Sequence, residues 1–317
     1  MRLWQQSMIL LARNKALKEF MQSRATLSEL AGKFVGGKNV EEALQKSRAL
    51  KEKGIKTSLF YLGEYVEDLT LVNQTVSELK MMIASLGDSN LDISISVDPT
   101  QIGQPISAKI CRDNAFALAR EIKSSIRQNN HSRNYLMFDM EDSSVTDATI
   151  SLYTDLTLAS LPAALTLQAY LFRSENDLQN IARNGGVVRL VKGAFAEKSS
   201  IAFTKRADID ENYIKLAKIM LSEEAREKGF HPIFATHDDK IMDKIVQLAS
   251  KQKWEKHEYE FEMLYGVRAA LQNELVQSGE QLRLYLPFGT DWWSYAIRRV
   301  GESPQNAKFL FKTITAI

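Results

Sequence analysis

Tyr295, Arg298, Arg299 and Glu302 stand at positions i, i+3, i+4 and i+7 of the stretch YAIRRVGES. In a helix that spacing puts all four on one face. An amphipathic helix normally lines such a stripe with aliphatic residues. Here the stripe holds a phenol, two guanidinium groups and a carboxylate. Adjacent arginines offer planar, bidentate recognition of a carboxylate or phosphate. The alternative is a solvated salt-bridge face. The place of the helix in the fold decides between them.

Eight short apolar runs precede that helix, at 57–62, 92–97, 134–140, 164–171, 187–191, 232–236, 259–264 and 282–286. Their length and composition predict strands. The segments between them carry apolar residues at three- and four-residue spacing, and the stretches 40–54 and 210–229 each close on a glycine, a usual helix stop. Strands alternating with helices imply a parallel sheet with crossovers. Eight units in roughly 260 residues match a (β/α)₈ barrel, an α/β fold. A doubly wound sheet is the rival, but no Gly-rich phosphate loop follows the first strand. Residues 1–36 read as an additional helical extension and 37–317 as the barrel.

The totals exclude several classes. Net charge is +2, with 41 basic and 39 acidic residues, which gives no reason to expect a nucleic-acid partner. One cysteine, Cys111, precludes an internal disulfide and fits a reducing cytoplasm. Histidines at 131, 231, 237 and 257 show no ligand-pair spacing, so no zinc site is expected. No run is long enough for a transmembrane segment or a signal-peptide core.

In such barrels the chemistry sits at the C-terminal ends of the strands. In strand order those ends carry Glu64, Asp98, then Asp139 with Glu141 and Asp142, then Gln168. Arg189 with Lys192 follows, then Thr236 with His237, Leu264 with Tyr265, and Tyr285. Asp142 or Ser143 is expected to cap the third helix. Gln168, inside an apolar strand, needs partners for its amide. Arg189 and Lys192, near an interior strand end, suggest an anion. His237 reads equally as a structural histidine. Trp292 and Trp293 are expected to pack the last helix onto the barrel. That helix begins at the active rim, which favours the anion-binding reading of its arginines.

The stretches RLVKGAF, FATHDD, FEMLYGV, RLYLPFG and YAIRRVGES together resemble the successive signatures of the proline dehydrogenases, flavin enzymes with a distorted (β/α)₈ barrel. The resemblance runs from about residue 61 to the last helix. It implies FAD over the rim, with Gln168 and Arg189 near the isoalloxazine. Lys192 and the backbone of Val191, Gly193 and Ala194 would lie by the pyrophosphate, and Thr204, Lys205 and Arg206 toward the adenosine. Thr236, His237, Asp238 and Glu302 would complete the cofactor's surroundings. Arg298 and Arg299 would bind the substrate carboxylate, with Tyr285, Tyr295 and Leu264 around the ring. Asp139 and Glu64 would position arginines. The resemblance further implies proline oxidation by hydride transfer, a quinone or other electron acceptor, and transient peripheral contact with a membrane.

Three positions depart from the family pattern. Asp98 stands where the family has a carboxylate-binding lysine, Phe195 replaces a tyrosine and Asp238 an asparagine. Asp98 makes a modified proline or another cyclic amino acid the second substrate reading. Two other classes remain open: a Schiff-base lyase using Lys192, and a barrel that binds flavin or another ligand without turnover.

Overall fold

The computed structural model describes residues 33–63, 66–126, 133–293 and Tyr295. Glu64, Arg298, Arg299 and Glu302 therefore lie outside the described residues, as does most of the N-terminal extension.

All eight expected strands form. They are β1 (Ile55–Tyr61), β2 (Ser94–Val97), β3 (Tyr135–Phe138), β4 (Ala163–Gln168), β5 (Val187–Val191), β6 (His231–Ala235), β7 (Glu260–Leu264) and β8 (Leu282–Phe288). They pair in parallel, in chain order, into a closed barrel. Closure rests on the longest register, in which Ile55 through Tyr61 of β1 pair with Leu282 through Phe288 of β8. The fold class is thus an α/β, (β/α)₈ barrel, and closure leaves no edge strand.

The surrounding helices are α1 (Val40–Lys51), α2 (Leu69–Gly87), α3 (Ala108–Ser125), α4 (Thr146–Leu158), α5 (Ser174–Ala182), α6 (Arg206–Met220), α7 (Glu223–Glu227), α8 (Asp239–Lys251) and α9 (Ala269–Gln277). Their periodicity sets their packing. In α2, Val72, Val76, Leu79, Ile83 and Leu86 form the buried stripe against the strands. Its start is set by Asp68, whose carboxylate accepts from the amides of Thr70 and Leu71 at 2.8 and 3.1 Å.

Two local expectations are corrected. The stretch 210–229 is not one helix: α6 begins earlier, at Arg206, and breaks at Leu221, after which Ser222 caps the short α7. Ser222 takes the Ala225 amide on its hydroxyl and so competes with helix continuation. Neither Asp142 nor Ser143 caps α4, whose N-cap is Val145 without a side-chain bond. Asp142 instead closes a turn onto Ser144, and Ser143 is held by Glu197.

The barrel interior is polar at two levels. Near the N-terminal ends of the strands, the fully buried Arg283 donates to Glu260, to Asp92 at 2.7 Å and to the Thr57 carbonyl at 2.8 Å. Lys56 joins Glu260 at 2.6 Å. Between this floor and the rim lies a small apolar plug of Met137, Ala164 and Ile233, with Tyr135 beneath. Charges at this depth need full pairing, and the floor provides it.

His231 belongs to the floor. Its Nδ1 faces the Glu258 carbonyl at 3.0 Å, so Nδ1 carries the proton and Nε2 is bare. Burial, with Arg133 and Arg283 nearby and against the opposing pull of Glu260, lowers its pKa to about 4 from the ordinary 6.5. The folded chain then binds fewer protons than the unfolded one below pH 6.5. Stability is complete above that value and declines as pH falls toward 4, by up to about 3 kcal/mol. Urea melts at pH 7, 5.5 and 4.5 should show this loss, and His231→Asn should flatten that part of the curve.

Candidate active site

At the C-terminal end of the barrel, Arg189 occupies the axis. It is buried, 4% exposed, and its guanidinium meets strands on every side. Nε and one terminal nitrogen form a two-point contact with Glu262 of β7, both bonds at 2.8 Å. The other terminal nitrogen reaches Asp139 and Thr166. Ser96 of β2 accepts at 2.9 Å and Ser58 of β1 at 3.3 Å. Every N–H of Arg189 thus has a protein partner. The anion that its position calls for is supplied by the chain's own carboxylates.

Asp139 connects this cluster to the mouth. Its second oxygen accepts from the Tyr285 hydroxyl at 2.7 Å, and the Tyr285 ring lies 5.3 Å from the Arg189 guanidinium carbon. Burial lifts the Asp139 carboxyl above its ordinary range, although Arg189, Tyr285 and Thr166 all pull the other way. Burial likewise pushes the Tyr285 phenol well up, reinforced by the negative charges of Asp139 and Asp98. The phenol therefore stays a hydrogen-bond donor across the physiological range.

Asp98 shares this level. The register pairing Val97 with Phe138 brings Asp98 and Asp139 to neighbouring strand ends, and the Asp139 amide bonds the Val97 carbonyl at 2.9 Å. Asp98 is 8% exposed. Its negative charge contributes to raising the Tyr285 phenol. Glu141, also buried, receives the Thr100 hydroxyl at 2.6 Å and amide at 3.1 Å.

Gln168 ends β4, two residues beyond Thr166. Its amide nitrogen donates to the carbonyls of Met140 and Glu141 at 3.1 and 3.3 Å, while its Oε1 is buried without a partner. Beyond β5 the chain turns through Gly193, with φ of +110°. A Cβ there would come within 2.2 Å of the Tyr170 ring, so only glycine keeps this turn against the rim.

Lys192 does not point at an open anion site. Its ammonium lies 2.5 Å from Asp210 and 3.0 Å from Asp238. Arg206 completes a four-membered cluster, 3.3 Å from Asp238 and 3.7 Å from Asp210. Burial alone would raise the Asp238 carboxyl, but the hydrogen bonds and charges of Lys192 and Arg206 hold it below its usual range. Two carboxylates on one ammonium are the opposite of the desolvated setting that activates a Schiff-base lysine, which weighs against the lyase reading. Thr204, Lys205 and Arg206 are exposed at the start of α6, whose N-cap Lys205 makes no side-chain cap.

On the β6–β7 side, the Thr236 hydroxyl accepts from the Asp238 amide at 3.1 Å. His237 Nε2 accepts from the Leu264 amide at 2.9 Å. An amide can only donate, so the ring is neutral with its proton on Nδ1. Tyr295, with Trp292 and Trp293, is buried where the chain leaves β8, and the two indoles meet edge to face at 6.0 Å.

The structure thus brings Asp98, Asp139, Arg189, Gln168 and Tyr285 to one end of the barrel, with Lys192, Thr236, His237, Asp238 and Leu264 around them. It adds residues that the strand-end reading passed over: Glu262, Ser58, Ser96, Thr166 and Asp210. For Glu262 a signal exists in the pattern. YEFEML and LRLYL each put polar groups two residues apart, on one face of a buried strand. Glu260 and Arg283 on the floor, and Glu262 and Tyr285 above, are those groups.

The family model for proline dehydrogenase matches residues 43–312. Proline dehydrogenase 1 of Bacillus subtilis subsp. natto is 33% identical over 306 residues, covering 96% of this chain and 97% of that one. The proline dehydrogenase of Deinococcus radiodurans is 30% identical over 290 residues, covering 91% of each. Among solved structures, proline utilization A (PutA) from Bdellovibrio bacteriovorus superposes with a TM-score of 0.77 at 23% identity, over 86% of this chain and 32% of that protein. That superposition supports the barrel; this chain spans about a third of the larger protein's length. Because the family match runs from the first barrel helix past the last strand, over the same rim that carries Asp139, Arg189 and Tyr285, this chain belongs to the proline dehydrogenase family.

Proposed function

We propose that this chain is an FAD-dependent dehydrogenase that oxidises L-proline to 1-pyrroline-5-carboxylate. The observation that carries the reading is the Tyr285–Asp139–Arg189–Glu262 network at the catalytic end of a barrel of this family. The residues present fit the cofactor. The buried, unpartnered Oε1 of Gln168 is an acceptor for a ring N–H such as the isoalloxazine carries. The Gly193 turn keeps the backbone of Val191 to Ala194 at the rim, and the basic start of α6 suits an anionic tail. When bound, FAD supplies the hydride acceptor at N5.

The chain's own residues do the rest. Tyr285, held as a donor by Asp139, and Leu264 and Tyr295 form walls for a five-membered ring. Arg298 and Arg299 take the substrate carboxylate, with Glu64 pairing an arginine. Arg189, saturated by protein partners, acts through the geometry it imposes on Asp139 and through its positive charge below the mouth. Thr204 and Glu302 would complete the cofactor's surroundings, and a quinone or other electron acceptor would be the second partner. The test is the visible spectrum of the purified chain, then anaerobic addition of L-proline. Bleaching of a flavin band supports the reading; a chain that cannot be loaded with FAD defeats it.

Asp98 favours a second reading, the same chemistry on a modified proline or other cyclic amino acid. Asp98 and Asp139 stand at neighbouring strand ends and both act on Tyr285. A carboxylate brought beside Asp98 meets like charge, and each unit charge at about 4 Å is worth up to roughly 4 kcal/mol before solvation reduces it. Asp98→Lys should raise kcat/KM for L-proline about tenfold to hundredfold, read by stopped-flow flavin reduction. An unchanged value would retain proline and retire the second reading.

Asp238→Asn removes one carboxylate from beside Lys192. The FAD dissociation constant should fall about fivefold to tenfold, more at low salt than at high. Fluorescence titration with FAD at two ionic strengths measures it.

A further inference from the structure

Arg268 is one of three described non-glycine residues with positive φ, and its φ and ψ are 53° and 51°. A left-handed conformation in a long side-chain residue is unfavourable and persists only where the surroundings over-determine it. The loop from β7 to α9 does so. Within it, the Tyr265 amide bonds the Tyr285 carbonyl at 3.0 Å. The Gln272 side chain bonds the Val267 carbonyl at 2.8 Å and the Leu264 carbonyl at 3.4 Å. Gly266 leaves no room for a Cβ, which would lie 1.8 Å from the Lys33 carbonyl oxygen.

What this conformation achieves is visible at the guanidinium. One terminal nitrogen donates to the His237 carbonyl oxygen at 2.6 Å, and the other meets Asp239 at 3.2 Å. The same loop supplies the Leu264 amide to His237 Nε2. His237 is therefore gripped twice from the β7 side, once at its ring and once at its backbone. Arg268 and Asp239 are 43% and 56% exposed. An ion pair so exposed adds little to stability and does not account for a strained backbone.

We propose that Arg268 is a positioning residue. By clamping the His237 carbonyl from a strained left-handed backbone, it holds the imidazole in the neutral form protonated at Nδ1, as a rim donor toward the bound cofactor. The proposal rests on the flavin reading for the ligand but not for the geometry. The Leu264 amide can meet Nε2 only while the β6–α8 loop stays in place. Besides the His237 ring itself, Arg268 ties that loop to the segment after β7.

The test uses full-length protein labelled with ¹⁵N-histidine, its four histidines resolved by long-range ¹H–¹⁵N correlation, with His237 assigned through His237→Asn. Arg268→Gly removes both the clamp and the strain. Arg268→Gln removes the charge but keeps the backbone demand, and Arg268→Lys keeps a cation. The expected result is a single Nδ1–H form in the parent and mixed tautomers in the Gly and Gln variants, partly restored in Lys. The Gly variant should melt within a few degrees of the parent, and its FAD dissociation constant should rise at least fivefold. An unaltered His237 signal in both Gly and Gln variants would overturn the proposal. If the parent binds no FAD, the flavin reading fails, while the imidazole spectrum still decides the role of Arg268.

Discussion

Arg189→Met is expected to destabilise the chain by about 3–5 kcal/mol and to abolish measurable turnover. The substitution leaves Glu262 and Asp139 facing each other in the barrel without their shared cation. Arg189 is 4% exposed and Glu262 2% exposed, so water cannot replace what is lost. Both carboxyls are already pushed up by burial, and without the guanidinium each must take a proton to remain in place. Protonated Asp139 would then compete with Tyr285 for the role of donor and disturb the mouth. Chemical denaturation at pH 7 gives the loss. Repeating it with Glu262→Gln in the same chain should recover a substantial part, because the uncompensated charge and not the missing contact dominates. Arg189→Lys should fall between, since one ammonium cannot meet Glu262 at two points while also reaching Asp139, Ser96 and Ser58.

A second loss of similar size is expected from Arg283→Met, again about 3–5 kcal/mol, but without an equivalent effect on the chemistry. Arg283 sits at the opposite end of the barrel and binds Glu260, Asp92 and the Thr57 carbonyl. Glu260 is kept ionised there against its burial chiefly by Arg283, with Lys56 beside it, and its carboxyl is held far below the usual range. The N-terminal face of such a barrel serves stability. Purified variant, if recovered at low temperature, should retain flavin binding and substrate-dependent bleaching per folded molecule. The pair of experiments separates the two polar levels. Loss of both properties at Arg189 and of stability alone at Arg283 is the expected pattern. Equal loss of turnover at Arg283 would mean that the two levels act as one network.

Membership of the proline dehydrogenase family implies an electron acceptor. Among the described residues no helix is long and apolar enough to cross a membrane.

The sequence by itself determined the fold. Eight strands and their helices follow from periods of two and of three to four residues, local quantities that survive without any tertiary information. Their alternation implies parallel pairing, and eight units without a Gly-rich phosphate loop after the first strand favour the barrel over an open sheet, which the β1–β8 pairing then closes. The identities at the strand ends were equally legible, because chemistry in this architecture gathers where strands become loops. Asp98, Asp139, Gln168, Arg189 and Tyr285 were found that way, and all five meet at one end.

What only the tertiary structure decided is who neutralises whom. Arg189 and Lys192 read alike as cations awaiting an anion, yet both are matched by carboxylates of the chain itself. Glu262 lies 73 residues from Arg189 along the chain and Asp238 lies 46 from Lys192, so no local pattern announces either pair. Burial and strand register create those contacts, and register is set by the whole closed sheet. Helix ends at 142–146 and 220–223 escaped for a related reason: caps are chosen by competition between nearby hydrogen bonds, and Glu197 won Ser143 from across a loop. The strain at Arg268 is also invisible in sequence, because a left-handed arginine is recognisable only from the loop that compels it.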